Sequence, residues 1–63
     1  MQIEAAWKIN QFDSLYHVDI QWNCSCGKRN RHELAVEKEL DGVVLKCIFC
    51  HQCHDIIPYQ HRN

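Results

Sequence analysis

The cysteines of this 63-residue chain fall into two close pairs, and their spacing constrains the fold more than any other feature. One residue separates Cys24 from Cys26, and two residues separate Cys47 from Cys50. Two cysteines on one tight turn can bind the same metal ion, because the short segment between them is easily ordered. A chain of this length has a small apolar core, so a bound metal would supply much of its folding free energy. The spacing therefore predicts a metal-stabilised domain.

A fifth cysteine, Cys53, makes the total odd, which suits disulfide pairing poorly. The N-terminal residues do not resemble a secretory signal, and no apolar run is long enough to cross a membrane. We therefore expect a cytoplasmic protein without membrane contact, in a reducing compartment where thiols bind metal in preference to forming disulfides.

Apolar and polar residues alternate in two early segments, which is typical of half-buried β-strands. In residues 1–9 the apolar positions are Ile3, Ala5, Trp7 and Ile9, and residues 10–14 are predicted to form a turn. In the strand that enters the first cysteine pair they are Tyr16, Val18, Ile20 and Trp22. Two further strands are expected at residues 43–45 and 55–59, with Pro58 placing the end of the last strand at a sheet edge.

Residues 30–40 are compatible with two structures. Asn30 and Glu33 would form a capping box at the start of a helix, whereas a strand would place His32, Leu34 and Val36 on one face. The Asp-Gly sequence at 41–42 suits a hairpin turn as well as a helix C-terminus.

Residues 20–30 and 41–50 resemble the zinc ribbon family, especially its small stand-alone members of bacterial or phage type, which bind zinc through four cysteines. The resemblance covers residues 16–59 and implies two zinc knuckles with a three-stranded antiparallel sheet, so that residues 30–40 are strand. On this basis residues 1–63 form one domain, with a lead-in segment at 1–14 as a strand or hairpin extension, the ribbon at 15–59 and a frayed tail at 60–63. The chain departs from the family by its shorter first spacing, which predicts a tighter turn, and by His51 where a glycine is usual.

The expected cofactor is one Zn²⁺, held by Cys24, Cys26, Cys47 and Cys50. A knuckle formed by residues 50–53 would instead make Cys53 a ligand, and His54 is a further candidate replacement. Otherwise Cys53 begins the last strand, half-buried, and His51 and His54 lie beside the site or at the surface. The remaining histidines are expected to be solvated: His17, His32 and His61.

Two other metal chemistries use the same residues. Iron in a four-thiolate site would give a rubredoxin-like electron carrier, and the sequence does not distinguish it from zinc. Residues 50–54 also match the C-x-x-C-H pattern of covalent haem attachment, but this would leave three cysteines unused and normally requires export.

The sequence favours a binding module over an enzyme. A four-thiolate site has no open position for a substrate water, and the chain has no nucleophile–histidine–acid set or phosphate-binding loop. We therefore expect no small-molecule substrate. Proteins that resemble this chain act on transcription or other host machinery, which implies docking on a larger protein.

Two surfaces are candidates for partner contacts. Phe49 lies at the tip of the second knuckle, where an exposed aromatic ring would anchor a protein partner. Lys28, Arg29 and Arg31 lie in a basic stretch at 28–32, which gives the alternative function of nucleic-acid binding. The net charge of −1 favours the protein partner. Most of the other large aromatic residues are expected to pack the lead-in segment onto the ribbon; this set is Trp7, Phe12, Trp22 and Tyr59.

Overall fold

A computed structural model describes residues 2–59, which form one mainly β structure with a five-stranded, curled sheet. The strands are β1 (Gln2–Phe12), β2 (Leu15–Asn23), β3 (Arg29–Val36), β4 (Val43–Lys46) and β5 (Cys53–Pro58). Their order in the sheet is β3-β2-β1-β5-β4. Within this range no helix has the length and apolar character needed to cross a bilayer.

β1 joins two hairpins into a single sheet. Its first residues pair in parallel with β5, from Gln2 opposite Asp55 to Ala5 opposite Pro58. Its later residues pair antiparallel with β2, from Ala6 to Phe12. The β2–β3 hairpin therefore lies on one side of β1 and the β4–β5 hairpin on the other, and each hairpin is closed by one of the two cysteine turns.

The predicted three-stranded sheet with an N-terminal extension thus differs from the observed fold, in which the N-terminal strand is the middle strand of five. The parallel pairing of β1 with β5 joins the two ends of the chain, and local sequence patterns do not report such distant pairings. β1 is also longer than predicted, since the expected turn is confined to Asp13 and Ser14. Both have positive φ, 50° and 66°, which is the backbone conformation of a tight two-residue hairpin.

The ambiguous segment 30–40 is a strand as far as Val36, as the resemblance implied, whereas residues 37–40 lie outside any strand. All eight residues of β3 pair with β2, from Arg29 opposite Asn23 to Val36 opposite Tyr16. β5 begins at Cys53, before the segment 55–59 that was read as strand but in agreement with the expectation that Cys53, if not a ligand, starts the last strand. At Pro58 it pairs with β1 alone, because β4 begins at Val43 opposite Ile56, so the end of β5 lies at an edge as expected.

The core lies on the alternating apolar faces of β1, β2, β4 and β5. Its buried members are Ala5, Val18, Ile20, Trp22, Cys24, Leu45, Cys47 and Ile56. The alternation predicted for β2 is confirmed, and in β1 it holds as far as Trp7, whereas Ile9 is exposed. Phe12 and Tyr59 are also exposed, so only Trp7 and Trp22 are packed, and the prediction that most of these aromatic residues would pack is wrong. Phe12 ends β1 at the hairpin turn, and Tyr59 follows the last paired residue.

The predicted frayed tail at 60–63, with His61, lies outside the described residues.

Candidate metal centre

Four cysteine sulfurs converge where the two hairpins meet. The Sγ atoms of Cys24, Cys26, Cys47 and Cys50 all lie within 4.8 Å of one another. Across the two turns, Cys24 Sγ is 3.5 Å from Cys50 Sγ, and Cys26 Sγ is 3.8 Å from Cys47 Sγ. A tetrahedral zinc site with Zn–S bonds of about 2.3 Å has sulfur–sulfur edges of about 3.8 Å. The separations fit such a site and are far longer than a disulfide bond of about 2.05 Å.

The first turn, named knuckle 1 (residues 24–28), is closed by two backbone hydrogen bonds. The Cys24 N–H donates to the Lys28 carbonyl at 2.9 Å, and the Gly27 N–H donates to the Cys24 carbonyl at 2.9 Å. Gly27 has φ of 91°, a conformation that residues with a Cβ rarely adopt. The glycine that follows the first pair therefore allows the chain to reverse directly after Cys26.

The second turn, named knuckle 2 (residues 47–52), has the same hydrogen bonds with one more residue. The Cys47 N–H donates to the Gln52 carbonyl at 2.9 Å, and the His51 N–H donates to the Cys47 carbonyl at 2.9 Å. His51 has φ of 66° and so takes the left-handed conformation at the position where a glycine is usual. The tighter first turn that the spacing predicted is present, and knuckle 2 reverses direction with His51 at positive φ.

The pKa of Cys47 is lowered to about 6. Burial raises this pKa, but hydrogen bonds to the sulfur outweigh it, from the Cys50 and Phe49 backbone N–H groups and the Asn30 amide. These hydrogen bonds, from knuckle 2 and from Asn30 of β3, favour the thiolate form of Cys47.

Two other thiols of the cluster resist ionisation. Although the Gln52 backbone N–H lowers the pKa of Cys50, burial and the neighbouring thiols raise it to about 12. The pKa of Cys26 is also raised: the Lys28 backbone N–H lowers it, but burial and the thiols of Cys24 and Cys47 outweigh this effect. Four sulfurs at this distance ionise together only with a cation among them, so the donor set fits a soft divalent metal.

Asn30 is a site residue that sequence reasoning missed, because it was considered only as a helix cap. It is 2% exposed and faces the cluster from β3. Its Nδ2 lies 3.3 Å from Cys47 Sγ, and its Oδ1 accepts a hydrogen bond from the Ile48 N–H at 3.0 Å. One sequence signal could have identified Asn30 as a site residue: it lies on the same face of β3 as the apolar residues that follow it.

His54 lies beside the cluster, which is one of the two positions predicted for it from the sequence. It is 7% exposed, and its Nε2 lies 3.6 Å from Cys24 Sγ. Its ring packs edge-on against Trp22, with centroids 5.9 Å apart. His32 was expected to be solvated, but it is half-buried, stacks on Trp22 and accepts a hydrogen bond from Trp22 Nε1 at 3.0 Å.

Cys53 is separate from the four clustered cysteines. It is the first residue of β5, opposite Lys46, and it is exposed rather than half-buried as predicted. Residue 53 faces outward because residues 54 and 56 take the inward positions of the strand. The fold thus groups Cys50 with the first cysteine pair rather than with its neighbour in the C-x-x-C-H pattern.

The two knuckle tips touch each other at the surface. Ile48 and Phe49 are exposed, by 66% and 52%, and Lys28 Nζ lies 5.7 Å from the centre of the Phe49 ring. We call Lys28, Ile48 and Phe49 the tip surface. Its two apolar side chains stand on a turn whose ends are fixed by the cysteine cluster.

The arginines of the basic stretch contact residues of their own sheet. Arg29 donates to Gln21 Oε1 at 2.7 Å. Arg31 forms a two-bond ion pair with Asp19, at 3.1 and 2.8 Å, and also lies 3.0 Å from Glu33. The hydrogen bond from Arg31 lowers the pKa of Asp19.

The structure therefore brings the four predicted cysteines together, exposes Phe49 beside Lys28 and engages Arg29 and Arg31 elsewhere. The cysteine cluster could hold a metal ion, in keeping with a zinc ribbon. Comparison with models of protein families, with curated proteins and with solved structures gave no significant match for the chain.

Proposed function

We propose that the chain is a non-catalytic zinc ribbon module in which one Zn²⁺, bound by Cys24, Cys26, Cys47 and Cys50, fixes the two hairpins against each other. The clustering of four thiols from both knuckles supports this role. Zinc suits such a site because four thiolates satisfy its tetrahedral preference. Elemental analysis of the purified protein should give one zinc per chain. Iron in its place would absorb visible light and would favour the alternative of an electron carrier.

The module's proposed partner is a larger protein, bound in the cytoplasm through the tip surface. The observation that carries this proposal is the pair of exposed apolar side chains, Ile48 and Phe49, on one metal-anchored turn. A rigid aromatic anchor loses little conformational entropy on binding and is typical of energetic hot spots. Transcription or other host machinery is the partner class that the zinc ribbon resemblance implies.

A binding experiment tests the tip surface. The wild-type chain, Phe49→Ala and a control variant, Phe12→Ala, are immobilised and exposed to cell lysate, and retained proteins are quantified by mass spectrometry. Phe12 is a matched control because it is also an exposed aromatic residue, at the hairpin turn between β1 and β2. We expect a stoichiometric partner whose retention falls about 10-fold or more with Phe49→Ala and is unchanged with Phe12→Ala. Equal retention by all three forms would contradict the proposal.

Nucleic-acid binding through residues 28–32 is the alternative function. The ion pair of Arg31 with Asp19 and the hydrogen bond of Arg29 to Gln21 argue against it, since both would compete with phosphate contacts. Titration of oligonucleotides at low salt separates the two functions. Binding that weakens with salt and with Arg29→Ala would favour nucleic acid.

A further inference from the structure

Two buried polar side chains lie in residues 2–59, and both contact the cysteine cluster. They are Asn30 and His54. A buried polar group is destabilising unless it forms hydrogen bonds, so their position requires a reason.

The two residues occupy equivalent positions in the two hairpins. Asn30 lies two residues after Lys28, whose carbonyl closes knuckle 1, and His54 lies two residues after Gln52, whose carbonyl closes knuckle 2. Each is the second residue of the strand that leaves its knuckle. The equivalence holds although the knuckles differ in length, because it is counted from the closing hydrogen bond.

Each side chain contacts the knuckle of the opposite hairpin. Asn30 reaches Cys47, the first cysteine of knuckle 2, and His54 reaches Cys24, the first cysteine of knuckle 1. Asn30 also accepts the Ile48 N–H, so both ends of its amide are bound to knuckle 2. His54 is held by its packing against Trp22.

The charge of the metal-bound cluster determines which group donates and which accepts in these two contacts. Four thiolates and one divalent ion carry net negative charge, and the sulfurs of Cys24 and Cys47 are buried. An N–H group aimed at each sulfur offsets that charge and orients the ligand. The amide nitrogen of Asn30 can only donate, and His54 donates when its proton is on Nε2.

We infer that Asn30 and His54 are a matched pair of positioning residues, each donating an N–H to the first thiolate of the opposite knuckle and so tuning the bound metal. This inference rests on the proposed metal site and extends it to two residues outside the ligand set. Because each residue reaches across to the opposite hairpin, the two contacts couple metal binding to the docking of the hairpins at the cluster.

Cobalt binding tests the inference, with Co²⁺ alone as the probe. Asn30→Leu keeps the approximate volume but removes the donor to Cys47, together with the acceptor for the Ile48 N–H. His54→Phe keeps a ring against Trp22 but removes the N–H. A hydrogen bond lowers the energy of the sulfur lone pairs, so each variant should move the sulfur-to-cobalt charge-transfer band to longer wavelength. Each should also weaken metal affinity about 10–100-fold, measured by competition with a chelator.

Two further variants separate hydrogen bonding from packing. His54→Gln retains an N–H donor. In this variant the charge-transfer band should lie between its positions in the wild-type chain and in His54→Phe. His32→Phe changes another ring on Trp22 without touching a sulfur, and should leave the band unchanged. If Asn30→Leu fails to fold, the His54 series alone decides.

The outcomes distinguish this inference from the metal site itself. A wild-type chain that takes up no Co²⁺ would overturn both. A wild-type chain that binds one Co²⁺, with unchanged band position and affinity in His54→Phe, would overturn the inference and leave the four-cysteine site intact.

Discussion

At the scale of single residues, the five cysteines have unequal surroundings. Four share one cluster in which Cys24 and Cys47 are buried, whereas Cys53 is exposed on the strand after knuckle 2. The thiols also differ in acidity, since hydrogen bonds lower the pKa of Cys47, whereas burial and neighbouring thiols raise that of Cys50. Removing a thiol should therefore have effects that depend on its position.

Replacing Cys47 with serine should abolish tight zinc binding and unfold the chain. Structural zinc supplies apparent binding free energies on the order of 10 kcal/mol, and the two hairpins meet at this cluster. Cys53→Ser is the matched control and should retain one zinc and the wild-type circular dichroism spectrum. Loss of zinc in Cys53→Ser would show that the ligand set is wrong.

Zinc uptake at about pH 7 should release roughly two or more protons, because Cys26 and Cys50 have raised pKa values and must lose their protons to bind. Cys47, whose pKa is lowered by its hydrogen bonds, should contribute less than these two thiols. Since protons compete with the metal at the raised thiols, zinc affinity should fall as the pH is lowered. Calorimetric titration in two buffers of different ionisation enthalpy measures the count, and a value near zero would contradict it.

At the scale of elements, the two hairpins repeat one design with different residues. Both knuckles close with a hydrogen bond from the first cysteine and contain one residue in the left-handed conformation. Knuckle 1 uses Gly27 there, and knuckle 2 uses His51. A side chain in this conformation costs about 1–2 kcal/mol, so knuckle 2 carries strain that knuckle 1 avoids.

His51→Gly should therefore stabilise the zinc-bound protein by roughly 0.5–1 kcal/mol, because glycine relieves the strain although it also makes the unfolded chain more flexible. Gly27→Ala should destabilise it by about 1 kcal/mol. Nothing lies within 4 Å of a Cβ at residue 27, so this cost comes from the backbone conformation alone. Urea unfolding of the zinc-bound forms measures both, and a destabilised His51→Gly would contradict the account.

At the scale of the whole molecule, β1 and the cysteine cluster both connect the two hairpins. β1 pairs with β5 on one side and β2 on the other, and the core contains residues from four strands. Ile56 is central to this connection, since it is fully buried and pairs with Ile3 of β1 and Val43 of β4.

Ile56→Ala should destabilise the zinc-bound protein by about 2–5 kcal/mol, because it removes buried methyl groups and leaves a cavity. Val44→Ala, on the exposed face of the neighbouring strand, should change the free energy of unfolding by less than about 0.5 kcal/mol. Thermal unfolding of both variants with zinc bound makes the comparison. Equal effects would mean that the β4–β5 hairpin is not packed through Ile56.

Much of the site could be predicted from the sequence because its signals are local. The spacing of the cysteines selected the four thiols that cluster, and the alternation in β2 placed Trp22 in the core. Asn30 could not be assigned in this way, and Cys53, although correctly left outside the four, was expected to be half-buried and is exposed. Whether each faces the cluster depends on strand register, and shifting a strand by one residue would reverse it.

By itself, the sequence determined a small, mainly β protein with four clustered cysteines, since close spacing and period-two alternation act over a few residues. Only the tertiary structure decided that the N-terminal strand lies at the centre of five, and that Asn30 and His54 cross between hairpins. Those features come from contacts between residues far apart in the chain, and a short sequence pattern does not predict such contacts. The cysteine pairs indicate that a metal can bind. The packing around them determines which other side chains contact the cysteine sulfurs.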